Sequence, residues 1–252
     1  LYSHLMYRTS NPALTNSTFL VSSGTESHEH MSLEGVATKS ALMLTLTAII
    51  AYSVYSVRYT NPELIFIGLG VGGIAGFVIV MYSLLFAKRC TANIVTLYAF
   101  FEGLFVGGLT TLAELSYPGV GFLAISITFA IFFGVLGIYR LRLIPYTENF
   151  RIALSAGVFS VFLIYMLSFL VSLFGINVPF IHSSGPIGIL FSIAVICLAS
   201  LCLVADFDFI ENGVENRAPK ELEWRAVLGL MITVIWIYIE VLRLLMKLND
   251  RR

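Results

Sequence analysis

Seven long apolar runs dominate this sequence. Each run has 18–24 residues, the length of a helix that crosses the hydrocarbon core of a bilayer and too long for an ordinary strand. Because the bilayer core offers no water to unpaired backbone amides, such runs adopt helices. The pattern predicts an all-α integral membrane protein, a bundle of about seven transmembrane helices. The runs lie at about 40–57, 64–87, 93–113, 119–139, 152–174, 186–207 and 226–246.

Polar residues divide the chain into three parts. Residues 1–38 form a polar N-terminal segment, residues 39–248 form the transmembrane bundle, and residues 249–252 form a short basic tail. Only 12% of the residues are charged, about half the usual share in soluble domains, so no separate soluble domain is expected. The 15 Lys and Arg residues balance 15 Asp and Glu residues, so no basic excess indicates nucleic-acid binding.

The distribution of basic residues favours a cytoplasmic N-terminus. In that orientation, the external loops before the last span carry only Arg58. Lys247, Arg251 and Arg252 then follow span seven on the external side, so two arrangements stay open. Either the tail is tolerated outside, or one late segment is re-entrant. The basic residues of the cytoplasmic segments are Arg8, Lys39, Lys88, Arg89, Arg140, Arg142, Arg151, Arg217, Lys220 and Arg225.

Acidic side chains interrupt the end of span six. Asp206 and Asp208 stand two positions apart, which is about 200° around a helix, so only one can face a given cavity. Insertion scales put the cost of Asp near a helix centre at roughly 2.5–3.5 kcal/mol. One interpretation places both at the membrane surface, in contact with water. The other is a buried carboxyl group near the cytoplasmic mouth, whose proton-dependent charge gates a pathway.

Two further acidic residues lie inside spans. Glu240 precedes Arg243 by three residues on the same face of span seven, which indicates either an intrahelical ion pair or a place in an ion pathway. Glu102, in the middle of span three, has no charged neighbour in its own helix. Its partner must be another helix, a cavity water or its own proton. We interpret Glu102 and Glu240 as residues of an ion pathway, with Arg243 in a structural ion pair.

Other motifs point away from catalysis. The sequence has no GxSxG, HExxH or P-loop motif and no zinc-type cluster, which predicts a protein that is not an enzyme and needs no cofactor. The sequence does not identify metal ligands. Glycines at four-residue spacing in spans two and three predict close helix packing. These glycines are Gly68, Gly72, Gly76, Gly103 and Gly107.

The C-terminal stretch carries a family resemblance. Residues 204–245, VADFDFIENGVENRAPKELEWRAVLGLMITVIWIYIEVLRLL, resemble the Bax inhibitor-1/YccA family, and in particular its bacterial branch. SNPAL at 10–14, GVATKS at 35–40 and FEG at 101–103 also fit, so the resemblance covers roughly residues 10–248. It implies a multi-pass protein of the bacterial inner membrane, with a central helix that carries acidic groups.

The resemblance also implies several functions. Some members are pH-sensitive calcium leaks, in which a carboxylate of the sixth helix pairs with one of the seventh. Others suppress cell death or modulate a membrane-bound protease. The resemblance places the first carboxylate on Asp208, with Asp206 as the alternative, and Thr233 near the second position.

Our leading hypothesis is a cation leak channel or transporter, for Ca²⁺ or another cation, gated by Asp206 and Asp208. The alternative is a membrane adaptor that regulates a membrane-bound protease or another membrane partner. Membrane lipid surrounds the bundle in either case.

Overall fold

The computed structural model describes residues 30–85, 90–174 and 184–251. Seven helices in this part of the chain are long and apolar enough to cross a membrane, which confirms the predicted all-α bundle. The predicted N-terminal segment up to residue 29, with Arg8, and the basic residues Lys88, Arg89 and Arg252 lie outside the described residues. The helices are α1 (Leu33–Ser56), α2 (residues 63–85), α3 (Ala92–Ser116), α4 (Val120–Arg140), α5 (Glu148–Leu173), α6 (Pro186–Glu215) and α7 (Leu222–Asn249).

The second helix is composite. It consists of an α-helix at Glu63–Ile67, a π-helical turn at Gly68–Gly72 and an α-helix at Gly73–Leu85. Its glycines press against α3: a Cβ at Gly72 would stand 2.7 Å from the Phe101 carbonyl oxygen. Helix α3 uses its own glycines to approach α1 in the same way, at Gly103 and Gly107. The glycine spacing in the sequence therefore corresponds to two close helix contacts.

Helix α7 is the central helix of the bundle. It packs against α1, α3, α4 and α6. Buried residues make up 61% of its most apolar stretch, against 11% in α5, which packs mainly on α6. The physical reason is its position: a helix surrounded by others has little surface left for lipid.

The two ends of α7 contact opposite ends of the bundle. Glu223, at its start, bonds to Ser32 beside the start of α1. Asp250, just past its end, accepts hydrogen bonds from Tyr117 beyond α3 and from Ser184 before α6. At about 1.5 Å per residue, α7 is about 42 Å long, more than the ~30 Å hydrocarbon core. Within the described residues, α7 thus runs the full length of the bundle and does not turn back.

Helices α1 and α6 extend furthest beyond one end of their predicted spans. Helix α1 begins at Leu33, where Ser32 caps it by accepting a hydrogen bond from the Gly35 amide at 3.0 Å. Helix α6 continues to Glu215, past the predicted end at 207. Polar side chains stabilise these last two turns or so, since Asn212 donates to Asp208 at 2.8 Å. Only residues 216–221 connect α6 to α7, a shorter connection than the polar stretch 209–225 suggested.

Candidate functional site

Asp206 lies within α6 and faces the central helix. Its neighbours on α7 are Gly229, where a Cβ would stand 3.6 Å from Asp206 Oδ1, and Thr233. The Thr233 hydroxyl group lies against the carboxyl group, and it also donates to the Gly229 carbonyl oxygen at 3.2 Å. Asp206 Oδ2 is buried without a hydrogen-bond partner in the described part of the chain. The burial of an unpaired carboxyl oxygen costs free energy, and a proton, a water molecule or a cation would reduce that cost.

Other titratable groups near Asp206 come from two elements. Cys202 is one turn earlier on α6, and Tyr146 lies in the connection between α4 and α5. Burial, with a contribution from the negative charge of Asp208, raises the pKa of the Tyr146 phenol to about 12. Tyr146 is therefore neutral at physiological pH. The α7 residues that flank the carboxyl group, Gly229 and Thr233, do not titrate.

Asp208 points to a different environment. Its Oδ2 accepts the hydrogen bond from Asn212, and the charged groups around it are Glu211, Arg142 and Arg151. Arg142 donates to Glu211 at 2.7 Å, and Tyr139 donates to the same carboxylate. Asp208 thus belongs to a mixed-charge network near the α4–α5 connection. The structure separates it from Asp206, in keeping with the 200° between the two positions.

Glu102 lies on α3 and faces α2. Its Oε2 would be only 2.7 Å from a Cβ at Gly76, so the carboxyl group rests against the glycine face of α2. Tyr98, one turn earlier, is buried beside it. Asp206 faces α7 instead. The structure therefore does not bring Glu102 and Asp206 together into one site.

Glu240 and Arg243 form the ion pair that their spacing suggests. Arg243 donates to Glu240 Oε1 at 3.2 Å, and the Glu240 side chain is 1% exposed. Tyr165 of α5 donates to the same oxygen at 2.9 Å, and its ring lies 4.9 Å below the Arg243 guanidinium group. Sequence reasoning missed Tyr165 because it lies on a distant helix. The pair braces α7 against α5 beyond Thr233, towards the C-terminal end of α7.

A second buried carboxylate escaped the sequence analysis. Glu223 is 0% exposed and forms an ion pair with Lys39 of α1. Ser32 donates to it from both its backbone amide and its hydroxyl group, at 2.9 and 3.2 Å. The sequence around Glu223 resembles a solvated loop, and its partners are 184 and 191 residues away. The capping pattern of Ser32 and Gly35 indicates the start of α1, where two of these partners lie, but it does not indicate the contact with Glu223.

Lys247 is buried at the opposite end of α7. It donates to the Gly188 carbonyl oxygen at 3.0 Å and to the Ser192 hydroxyl group at 2.9 Å, both in the first turns of α6. One of the three basic residues near the C-terminus is thus part of the bundle interior. Its burial explains why a basic residue near the end of span seven need not prevent a full crossing.

No resident metal centre is evident from the described residues. No group of three or more His, Cys, Asp or Glu side chains among them is arranged to hold a metal ion. The acidic residues described above lie singly, in pairs with cations or, for Asp208 and Glu211, in a mixed-charge network. Asp206 remains the described carboxyl group that faces the central helix with an unpartnered oxygen.

These features define a class of protein: a multi-pass α-helical membrane protein with acidic residues on and against a central seventh helix. The chain belongs to the family described as Bax inhibitor 1 like, whose family model matches residues 11–250, nearly the whole chain. No curated protein matches the chain, and no solved structure does.

Proposed function

We propose that the protein is a proton-controlled cation leak of the Bax inhibitor-1 type, which passes Ca²⁺ or another cation. The observation that supports it is the buried, unpartnered Asp206 Oδ2 at the contact between α6 and the central helix. An intramembrane carboxyl group is costly to insert and typically marks a proton or ion route.

The proposed control is the charge of Asp206. Protonated, the carboxyl group is neutral and leaves the seam between α6 and α7 closed to cations. Deprotonated, it attracts a cation and water into that seam. A hard cation such as Ca²⁺ takes oxygen ligands, and the Asp206 carboxylate with the Thr233 hydroxyl group supplies a few of them. Incomplete coordination suits a leak, because conduction requires binding that is weak enough for release.

Asp208 has a separate proposed role. It is half-buried within the network of Arg142, Arg151 and Glu211 near the α4–α5 connection. At that place a carboxylate draws cations towards the entrance without closing the route. Glu240 and Arg243 brace α7, and Glu102 acts at a separate site against α2.

Flux measurements in reconstituted vesicles test this proposal. We expect Ca²⁺ entry, followed with a trapped dye, to rise with pH as Asp206 loses its proton. Asp206→Asn fixes the neutral form and should keep the flux low at every pH. Asp208→Asn is the matched control, because it removes a carboxylate two positions away and should lower the flux without removing its pH dependence. Unaltered pH-dependent flux in Asp206→Asn would refute the control of the leak by Asp206.

The proposed orientation is an N-terminus in the cytoplasm of a bacterium, in the inner membrane. Basic residues at the end of the bundle where α1 begins support it: Lys39, Arg140, Arg142, Arg151, Arg217, Lys220 and Arg225. Cytoplasmic loops are enriched in such residues. Labelling of single introduced cysteines at Asn216 and Arg58 by a membrane-impermeant reagent tests this orientation. Labelling of the Asn216→Cys variant in intact cells would contradict it.

An adaptor that regulates a membrane-bound protease is the second candidate. One observation favours it: the polar residues 1–29 join the bundle at His30, which forms a β-bridge with Pro219 in the α6–α7 connection. A partner that binds the polar segment would thus contact the bundle at a fixed place. Removal of residues 1–29 separates the candidates. An adaptor should lose co-purification with its partner protease, whereas a leak should keep its flux.

A further inference from the structure

We propose that Met31 is a releasable plug, which closes the seam between α6 and α7 at the end of the bundle where α1 begins. This inference rests on the proposed leak past Asp206. It assigns a role to residues 30–39, which we call the N-terminal hook.

The Met31 side chain is seated on α6. Met31 precedes the first helix, yet it is only 3% exposed. Its Sδ atom occupies the space over Gly213, 2.7 Å from where a Cβ would stand. Gly213 follows Asp206 by seven residues, two helical turns, so the two residues share one face of α6 about 10 Å apart. Met31 therefore covers the face of α6 on which Asp206 lies, at the end of that face.

Backbone contacts attach Met31 and His30 to the connection between α6 and α7. The Met31 amide donates to the Ala218 carbonyl oxygen at 2.7 Å. His30 forms an antiparallel bridge with Pro219. These are the contacts of a very short strand pair, and an isolated pair of this kind is only marginally stable in water.

The buried charge of Glu223 anchors the other half of the hook. Its partners, Ser32 and Lys39, both belong to the hook. Lys39 also lies 4.8 Å over the Trp224 ring. Gly35 leaves no room for a side chain against the Glu223 carboxylate. The start of α7 thus depends on the hook for the neutralisation of Glu223.

The part of α1 beyond the hook is held by its own contacts with α3. Farther along α1, Thr47, Ile50 and Ala51 pack directly on Gly103 and Gly107 of α3. The Lys39 side chain is 20% exposed, which gives water access to the ion pair. A methionine side chain is flexible and adapts to irregular contacts, so its withdrawal from Gly213 requires little rearrangement. Water drawn to ionised Asp206 would compete with this apolar contact.

The first test measures the accessibility of position 31. A Met31→Cys variant, with Cys90, Cys197 and Cys202 replaced by alanine, is reconstituted and exposed to a charged thiol reagent. Between acid and alkaline pH, we expect its labelling to rise about tenfold beyond the intrinsic rise of an exposed control cysteine at Asn216, as for a local opening equilibrium. In an Asp206→Asn background the excess should vanish. Labelling that follows the exposed control in both backgrounds would overturn the plug.

The second test measures flux. Met31→Ala should raise Ca²⁺ entry about tenfold at a pH where the wild-type protein conducts, because a truncated side chain leaves Gly213 uncovered. Met31→Leu, of similar volume, should behave like the wild type, and should do so even if Met31→Ala fails to fold. Met166→Ala, on the exposed side of α5, is the matched control. Wild-type flux in a folded Met31→Ala variant, or raised flux in Met31→Leu, would refute the plug.

The two proposals fail in different ways. A wild-type protein without pH-dependent flux refutes the proposed leak, and the thiol-labelling result then still decides whether the hook opens. pH-dependent flux with unchanged labelling at position 31 refutes the plug alone.

Discussion

The Thr233 hydroxyl group of α7 lies against the Asp206 carboxyl group of α6, and it also donates to the Gly229 carbonyl oxygen at 3.2 Å. The resemblance expected a second acidic residue near this position. Asp206 is the α6 residue that faces Thr233, although the resemblance had favoured Asp208 as the carboxylate of the sixth helix. A single carboxyl group therefore occupies a place where a pair was expected, and its titration depends on no acidic partner on α7.

A second carboxyl group at position 233 should change the pH response. In Thr233→Asp, two carboxyl groups share the contact between α6 and α7, and they resist simultaneous ionisation. We expect the midpoint of pH-dependent Ca²⁺ flux to move up by about one pH unit or more. Thr233→Asn, which has the shape of the introduced aspartate without its charge, is the control and should move the midpoint much less. A midpoint that is identical in Thr233→Asp and the wild type would contradict the placement of Asp206.

The glycines of the π-helical turn should differ in their tolerance of a methyl group. A Cβ at Gly72 would meet the Phe101 carbonyl oxygen and the Phe105 amide, both at 2.7 Å, and neither backbone atom can rotate away. A Cβ at Gly70 meets nothing within 4 Å. Gly72→Ala should lower the free energy of unfolding by about 1–3 kcal/mol, whereas Gly70→Ala should not lower it. Thermal unfolding in detergent micelles compares the two, and equal melting temperatures would contradict the close contact of α2 and α3.

Removal of either partner from the Glu240–Arg243 pair should have unequal effects. Glu240 is 1% exposed and Arg243 is 35% exposed. Arg243→Gln leaves a buried carboxylate whose remaining hydrogen bond comes from the Tyr165 hydroxyl group, which should cost about 3 kcal/mol. Glu240→Gln leaves an arginine that still reaches the Tyr165 ring, and should cost less. Urea or thermal unfolding of both variants measures the order, with Arg243→Lys as a control that keeps the charge. A larger loss in Glu240→Gln would contradict this order.

The Asp250 contacts should make the other end of the bundle sensitive to acid. Hydrogen bonds from Tyr117 and Ser184 lower the pKa of Asp250 below its ordinary value of 3.8. The pKa of Asp250 is lower in the folded protein than in the unfolded chain. The stabilisation by these two hydrogen bonds is therefore complete above the ordinary pKa of Asp250, and it is lost as the pH falls through the pKa of the folded protein. Asp250→Asn should therefore melt at a lower temperature than the wild type at neutral pH, and the difference should shrink in acid. Glu215→Gln, at an exposed carboxylate, is the control.

The sequence was sufficient to predict the bundle and the separation of Asp206 from Asp208. Apolar runs and helical geometry act within one segment, so they can be read along the chain. The direction in which Asp206 points depends on which helix packs against α6, and no local pattern carries that information. The same holds for Glu223, whose nearest partners are more than 180 residues away. The extension of α6 to Glu215 was missed because polar side chains, not apolar ones, maintain its last turns.

The burial of Lys247 links the stability of the bundle to the full crossing of α7. A lysine beside lipid would extend its ammonium group to the membrane surface. Lys247 instead donates to Gly188 and Ser192 inside the bundle, and Ser192 is 0% exposed. Lys247→Met and Ser192→Ala should each destabilise the protein, and the double variant should lose about 1 kcal/mol less than the sum, since the two share one hydrogen bond. Thermal unfolding of the four proteins gives this coupling free energy. A sum that is strictly additive would mean that Lys247 lies away from α6, and the full crossing of α7 would lose its anchor at that end.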